Sequence, residues 1–166
     1  IDTFGLPIDV GDANPDDYLL GTPTANSDEV VVQALQKAGD GPVSIRPLAM
    51  FGVASGPAVR LGYYSPGQVD SKKELWYVPS EGAQSVNPTV YGQTLIDPGD
   101  APFALFTQWP GFFNTNGTTR NVYSEDALNA DWDTNSSRHM RFYPFVDQFG
   151  NAAPNTYLVA VEEYTQ

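Results

Sequence analysis

Short apolar runs alternate with clusters of Asn, Gly, Asp and Pro along most of this chain, most clearly over residues 103–163. The segments FALFTQ (103–108), RHMRFYP (138–144) and TYLVAVEE (156–163) carry β-branched and aromatic residues between turn formers. That is the pattern of antiparallel strands joined by tight turns. Further strands are expected at 60–64, 74–78 and 121–123, and 43–51 alternates loosely, with Pro47 marking a bulge or an edge. Segment 29–37 is ambiguous. Ser27 would cap a helix that Gly39 ends, yet Val30, Val31 and Val32 in succession favour a strand, which is the expectation here. The spacing of strands and turns predicts an all-β fold, an antiparallel β-sandwich or jelly roll with long loops, formed as one domain over 1–166.

Composition narrows the function. The 15 Gly and 14 Pro are spread along the chain rather than pooled in a linker, so they mark turns. Twenty acidic against 8 basic residues give a formal charge of −12, a surface that repels phosphate backbones and anionic lipid. Nucleic-acid partners and membrane insertion are therefore not expected, and no apolar run approaches membrane-spanning length. The absence of cysteine removes thiol catalysis, Cys-rich zinc sites and disulfides. Beginning at Ile1 without a basic and apolar leader, the chain reads as a mature protein or an excised domain. Sequons at Asn116 and Asn135 fall in expected loops.

Several phrases carry a family resemblance: GYY at 62–64, ELWYV at 74–78, PFALFT at 102–107, VYSEDALN at 122–129, RHMRFYP at 138–144 and PNTYLVAVEE at 154–163. Together they resemble a family of bacterial extracellular β-domains of unknown function, appended to secreted and surface proteins beside malectin-like or immunoglobulin-like domains. The resemblance covers about 100 residues, an order-of-magnitude extent for one domain. It implies an accessory module, located extracellularly or at the cell surface, whose partners include other domains of a larger protein. Where that family continues with an Asp/Asn-rich segment and a final strand, this chain ends at Gln166.

Two chemistries stand out in the loops. Asn129, Asp131 and Asp133 present oxygen-bearing side chains at alternating positions, as a hard Ca²⁺ ion requires, and backbone carbonyls with Glu162 or Glu163 would complete the set as a structural site. The EF-hand pattern is not met, and Asx residues also serve plain turns. Asp9, Asp12, Asn14, Asp16 and Asp17 form a looser group of the same kind. The aromatics include Tyr63, Tyr64, Trp76, Tyr77, Trp109, Phe112, Phe113, Trp132 and Tyr143. Sugars offer C–H faces to such rings while their hydroxyls need polar partners, and Tyr and Trp supply both. Trp109, Phe112, Trp132, Tyr143 and Tyr64 are the expected ligand-binding residues, whereas Trp76, inside a strand pattern, is expected in the core.

Catalytic signals are weak by comparison. His139 is the single histidine and no G-x-S-x-G elbow accompanies Ser124 or Ser137, so His139 reads as a hydrogen-bonded strand residue. Glu162 and Glu163 are adjacent, and on a strand they face opposite ways, leaving Glu74, Glu125 or Asp126 as distant partners for a glycosidase pair. The expected function is a non-catalytic binding module with a polysaccharide or glycan as favoured ligand. A structural or adhesive spacer is the first alternative, and a polysaccharide-degrading domain the second.

Overall fold

The computed structural model describes residues 4–11, 24, 26–50, 59–79, 85–113, 119–129 and 138–161, with the backbone alone at 109–113 and 119. The sequence reads as one domain. Contacts within the structure group it into two compact units, Ile1–Gln33 with Asp126–Gln166, and Ala34–Glu125. Both are antiparallel β structures, and among the described residues there is no helix of seven residues or more. The all-β class is thus as the alternation predicts, with several antiparallel sheets consistent with a β-sandwich. None of the described helices is long and apolar enough to cross a membrane.

The unit formed by 34–125 contains two short pairs and one larger sheet. Strand β1 (Val43–Ser44) pairs with β7 (Leu95–Ile96), and β2 (Ala49–Met50) with β5 (Ser85–Val86). The larger sheet has the order β6-β4-β3-β8-β9, from β3 (Val59–Ser65), β4 (Gln68–Val78), β6 (Tyr91–Gly92), β8 (Ala104–Phe113) and β9 (Thr119–Tyr123). Strands β3 and β4 form a hairpin through Pro66 and Gly67, where Gly67 has φ 73°. Pro followed by a glycine at positive φ is the signature of a type II turn. Both faces of this sheet bury side chains, Tyr64, Ala104 and Phe106 on one and a largely apolar, continuous row on the other. That row, Trp76, Leu61, Thr107 and Val122, runs across four strands. Val59, Trp76, Val78, Leu105 and Val122 are all buried. Trp76 lies in the core as its strand position predicts, its indole N–H donating to the Ile45 carbonyl at 3.3 Å.

The unit formed by 1–33 and 126–166 is built on the hairpin of β10 (Met140–Val146) and β11 (Ala152–Val161). Met140, Phe142 and Tyr143 are buried, and the Phe142 ring meets Tyr157 edge-on at 6.2 Å. The expected strand at 29–37 is not a regular one. The segment touches sheets at single bridges, Val30 with Phe142 and Leu35 with Phe103. Between them Val31 is 56% exposed, so the valine run does not line one buried face. The 43–51 segment is likewise split into two short strands, with Pro47, which lacks an N–H for a ladder, between them.

Candidate functional site

The face of the five-stranded sheet opposite Trp76 and Val122 is buried at Tyr64, Ala104 and Phe106, and beyond them it carries an unusual half-exposed row. Strand registers pair Tyr91 with Tyr77, Tyr77 with Arg60, Arg60 with Gln108, and Gln108 with Asn121. These five residues therefore stand side by side, one per strand, across the whole sheet. At the usual strand spacing the row spans roughly 19 Å. Tyr91 is 52% exposed at the β6 edge, and Tyr77, Arg60, Gln108 and Asn121 are half-buried.

Two neighbouring pairs in the row are engaged with each other, and its central Arg60 is engaged with Glu74. The Tyr77 and Tyr91 rings stack, with centroids 5.4 Å apart and planes 17° from parallel. Arg60 Nη1 forms an ion pair with Glu74 Oε2, both side chains remaining about 40% exposed. Gln108 Nε2 donates to Asn121 Oδ1 at 3.3 Å. The row thus offers an aromatic end, a self-neutralised ion pair in the middle and an amide pair at the far end.

A β-bulge makes the ion pair possible. Leu61 opposes Trp76 while Gly62 opposes Glu74, so Leu75 is an extra residue on β4. Without it, strict alternation would send Glu74 to the core face with Trp76. The bulge turns Glu74 onto the face of Tyr77, where Arg60 meets it. The free Leu75 carbonyl is satisfied by the Gln93 N–H at 2.8 Å. Gly92 lies so close over this bulge that a Cβ there would meet the Leu75 carbonyl oxygen and Trp76 Cα. Its φ of 131° is likewise suited to glycine.

The next row on the same face is closed rather than open. Gly62 leaves room for the Phe106 ring, and Tyr64 packs edge-on against Phe106 at 6.4 Å and Tyr123 at 5.5 Å. The Lys72 ammonium sits 5.5 Å from the Phe106 and Tyr123 ring centres and donates to Tyr123 Oη at 3.2 Å. Burial, reinforced by the Glu125 carboxylate, pushes the Tyr64 hydroxyl above its ordinary pKa, although the two do not form a hydrogen bond of normal geometry. Glu125 instead accepts from the Gly67 N–H at 2.9 Å.

The second unit holds a buried charge cluster. Glu29, with no side-chain exposure, takes Arg141 at 2.6 Å and Arg138 at 3.5 Å, and Arg138 also reaches Asp126 at 2.9 Å. Gln33 and Asp126 bond reciprocally, Gln33 Nε2 donating to Oδ2 and the Asp126 N–H donating to Gln33 Oε1. Two carboxylates and two guanidiniums balance, and the cluster fastens segment 24–33 to the start of β10. The ion pairs are reinforced by Thr24, whose N–H donates to Glu29 Oε2 and whose hydroxyl accepts from Arg141 Nη1, so the cluster reads as a clamp.

The expected site residues fare unevenly. Tyr64 and Tyr143 are 1% and 3% exposed, so neither presents a ring face to a ligand, and both are corrected to core residues. The Phe106 and Tyr123 rings cover Tyr64, and Tyr143 ends a run of four buried residues, Met140 to Tyr143, in which the strand does not alternate. Asn129 is wholly buried, and its N–H closes the short 3-10 turn Asp126–Leu128 by donating to the Asp126 carbonyl. Asp131, Asp133, Glu162, Trp132, Ser137, Glu163 and the two sequons lie outside the described residues, as do the side chains of Trp109, Phe112 and Phe113. Trp109 is located only by backbone register, opposite Arg120. Of the looser acidic group, Asp9 is described. Its carboxylate accepts from the Gly11 N–H and its own N–H donates to Asp28. Among the described residues no group of three or more His, Asp or Glu side chains is arranged to hold a metal. His139 is buried just ahead of β10, and Ser124 is buried with its hydroxyl accepting from the Leu105 N–H at 3.0 Å.

Sequence reasoning missed Tyr91, Arg60, Gln108 and Asn121. Each looks ordinary in its own segment, and only register across five strands brings them together. No family model matches this chain, and comparison with curated proteins and with solved structures gives no match either.

Proposed function

We propose that this chain is a non-catalytic carbohydrate-binding module and that the row Tyr91, Tyr77, Arg60, Gln108 and Asn121 is its binding face. The observation that carries this reading is the row itself: stacked phenol rings at one end and amide and ion-pair groups along the rest, on the half-exposed part of a sheet face that is closed farther along by Tyr64 and Phe106. Tyrosine offers an apolar ring face with a hydrogen-bonding tip, which suits the C–H faces and hydroxyls of a sugar. Amide side chains carry donors and acceptors together, matching hydroxyls that do the same. A flat row of this kind takes an extended saccharide lying across the strands, through several shallow contacts. Affinity then rises by avidity when the module sits within a larger exported protein, the setting we propose for it.

Calorimetry and affinity gels against a broad panel of soluble polysaccharides test the reading. We expect binding to at least one member, weakened about tenfold or more in Tyr91→Ala, as loss of a principal aromatic contact implies. Uniform silence across the panel, or a Tyr91→Ala protein that binds like the parent, would remove the proposal and leave the spacer reading. Turnover of a bound polysaccharide would replace it with the hydrolase reading.

A further inference from the structure

We infer that the Arg60–Glu74 ion pair is a specificity-determining element that makes the row select neutral sugars over uronate-containing ones. This rests on the reading of the row as a saccharide-binding face. Arg60 is the cation of the row, at its midpoint, and its guanidinium is the group that an anionic sugar would seek, since its planar fork matches a carboxylate. That position is already taken. The Leu75 bulge delivers Glu74 to the same face, and its carboxylate occupies Arg60.

A uronate arriving at Arg60 would have to displace Glu74 and leave it uncompensated beside a second carboxylate. It would do so on a chain whose formal charge is −12, where every anion is repelled at long range. Among the described residues, the other cation on this face offers little relief. Lys72 is committed to the Phe106 and Tyr123 rings and to the Tyr123 hydroxyl. A neutral sugar meets no such obstacle. The pair stays intact, and the remaining guanidinium N–H groups and the second carboxylate oxygen serve vicinal hydroxyls as donors and acceptors. The bulge therefore does more than bend a strand: it sets the charge state of the face.

An array of neutral and uronic-acid oligosaccharides of matched length, probed with the parent protein and with Glu74→Gln, tests this. Glu74 and Arg60 lie at the surface, so the variant is expected to fold, and circular dichroism checks it. The parent should retain neutral oligomers at least tenfold more strongly than uronic ones. In Glu74→Gln the ratio should move at least tenfold toward the uronic oligomers, and that gained binding should fall as salt is raised. Equal retention of the two classes by the parent, or a ratio changed less than twofold in the variant, overturns the inference while leaving the saccharide face standing. Retention of no oligomer by either protein removes the face and the inference together.

Discussion

Glu29 Oε2 and Arg141 Nη1 lie 2.6 Å apart in the smaller unit, with the glutamate side chain entirely shut off from solvent. Arg138 takes the other oxygen of the same carboxylate and extends to Asp126. Such a cluster adds little net stability over a well-packed apolar one, because both kinds of ion give up hydration. Breaking it is another matter. Removing one partner leaves an uncompensated charge indoors.

Glu29→Gln is therefore expected to destabilise the unit by about 3 kcal/mol or more, since both arginines lose their shared counter-ion. Urea unfolding followed by circular dichroism measures this as a lowered midpoint. A loss below about 1 kcal/mol, the scale of an exposed pair, would show that water reaches the cluster.

Gly62 gives a second, steric test. A Cβ at this position would meet the Lys73 carbonyl oxygen and the edge of the Phe106 ring, neither of which is a flexible chain end. Gly62→Ala should cost about 1–3 kcal/mol, the usual penalty of overpacking. Gly39→Ala is the control. Nothing lies within 4 Å of its added methyl. Its effect should stay within about 0.5 kcal/mol, as for other unremarkable surface positions. Thermal melts of the two variants side by side decide it, and equal melting temperatures would mean that the Phe106 ring and the Lys73 backbone both give way freely.

The strands around Gly62 also show how far the sequence could be read. Apolar and β-branched runs between turn formers located the cores of β3, β4, β8, β10 and β11, although β8 and β10 are buried on both faces over Ala104–Thr107 and Met140–Tyr143. They did not locate β6, where Tyr91 and Gly92 make two pairings with β4 and bury neither residue. They also assigned the wrong rings to the surface. Tyr64 and Tyr143 lie in segments that look half-exposed, but packing against neighbouring rings or strands far away in sequence decides their burial. The candidate row was illegible for a further reason. A one-residue insertion at Leu75 reverses the face of the β4 residues just before it, Lys73 and Glu74, and nothing local to ELWYV announces that insertion.

The turn joining β10 to β11 makes the final prediction. Asp147 Oδ1 accepts from the Phe149 N–H at 2.9 Å and the Asn151 N–H at 2.8 Å, while Asn151 Nδ2 donates to Oδ2 at 3.0 Å. The Asn151 side chain first, then the Asn151 and Phe149 amides, hold the Asp147 carboxyl below its ordinary value of 3.8. A depressed carboxyl stabilises the folded turn above the pKa of the unfolded chain, and that contribution is lost as pH falls through the folded value. The turn should accordingly stay intact at pH 5 and loosen only in acid, below the ordinary aspartate value of 3.8. Carbon-detected NMR of the Asp147 carboxyl should give a midpoint below 3.8, with the Phe149 and Asn151 amide resonances shifting at that same midpoint. Asp147→Ala should speed exchange of those two amides at neutral pH. A carboxyl midpoint at or above the free value, or amides indifferent to the substitution, would mean that the turn holds Phe149 outward by backbone geometry alone.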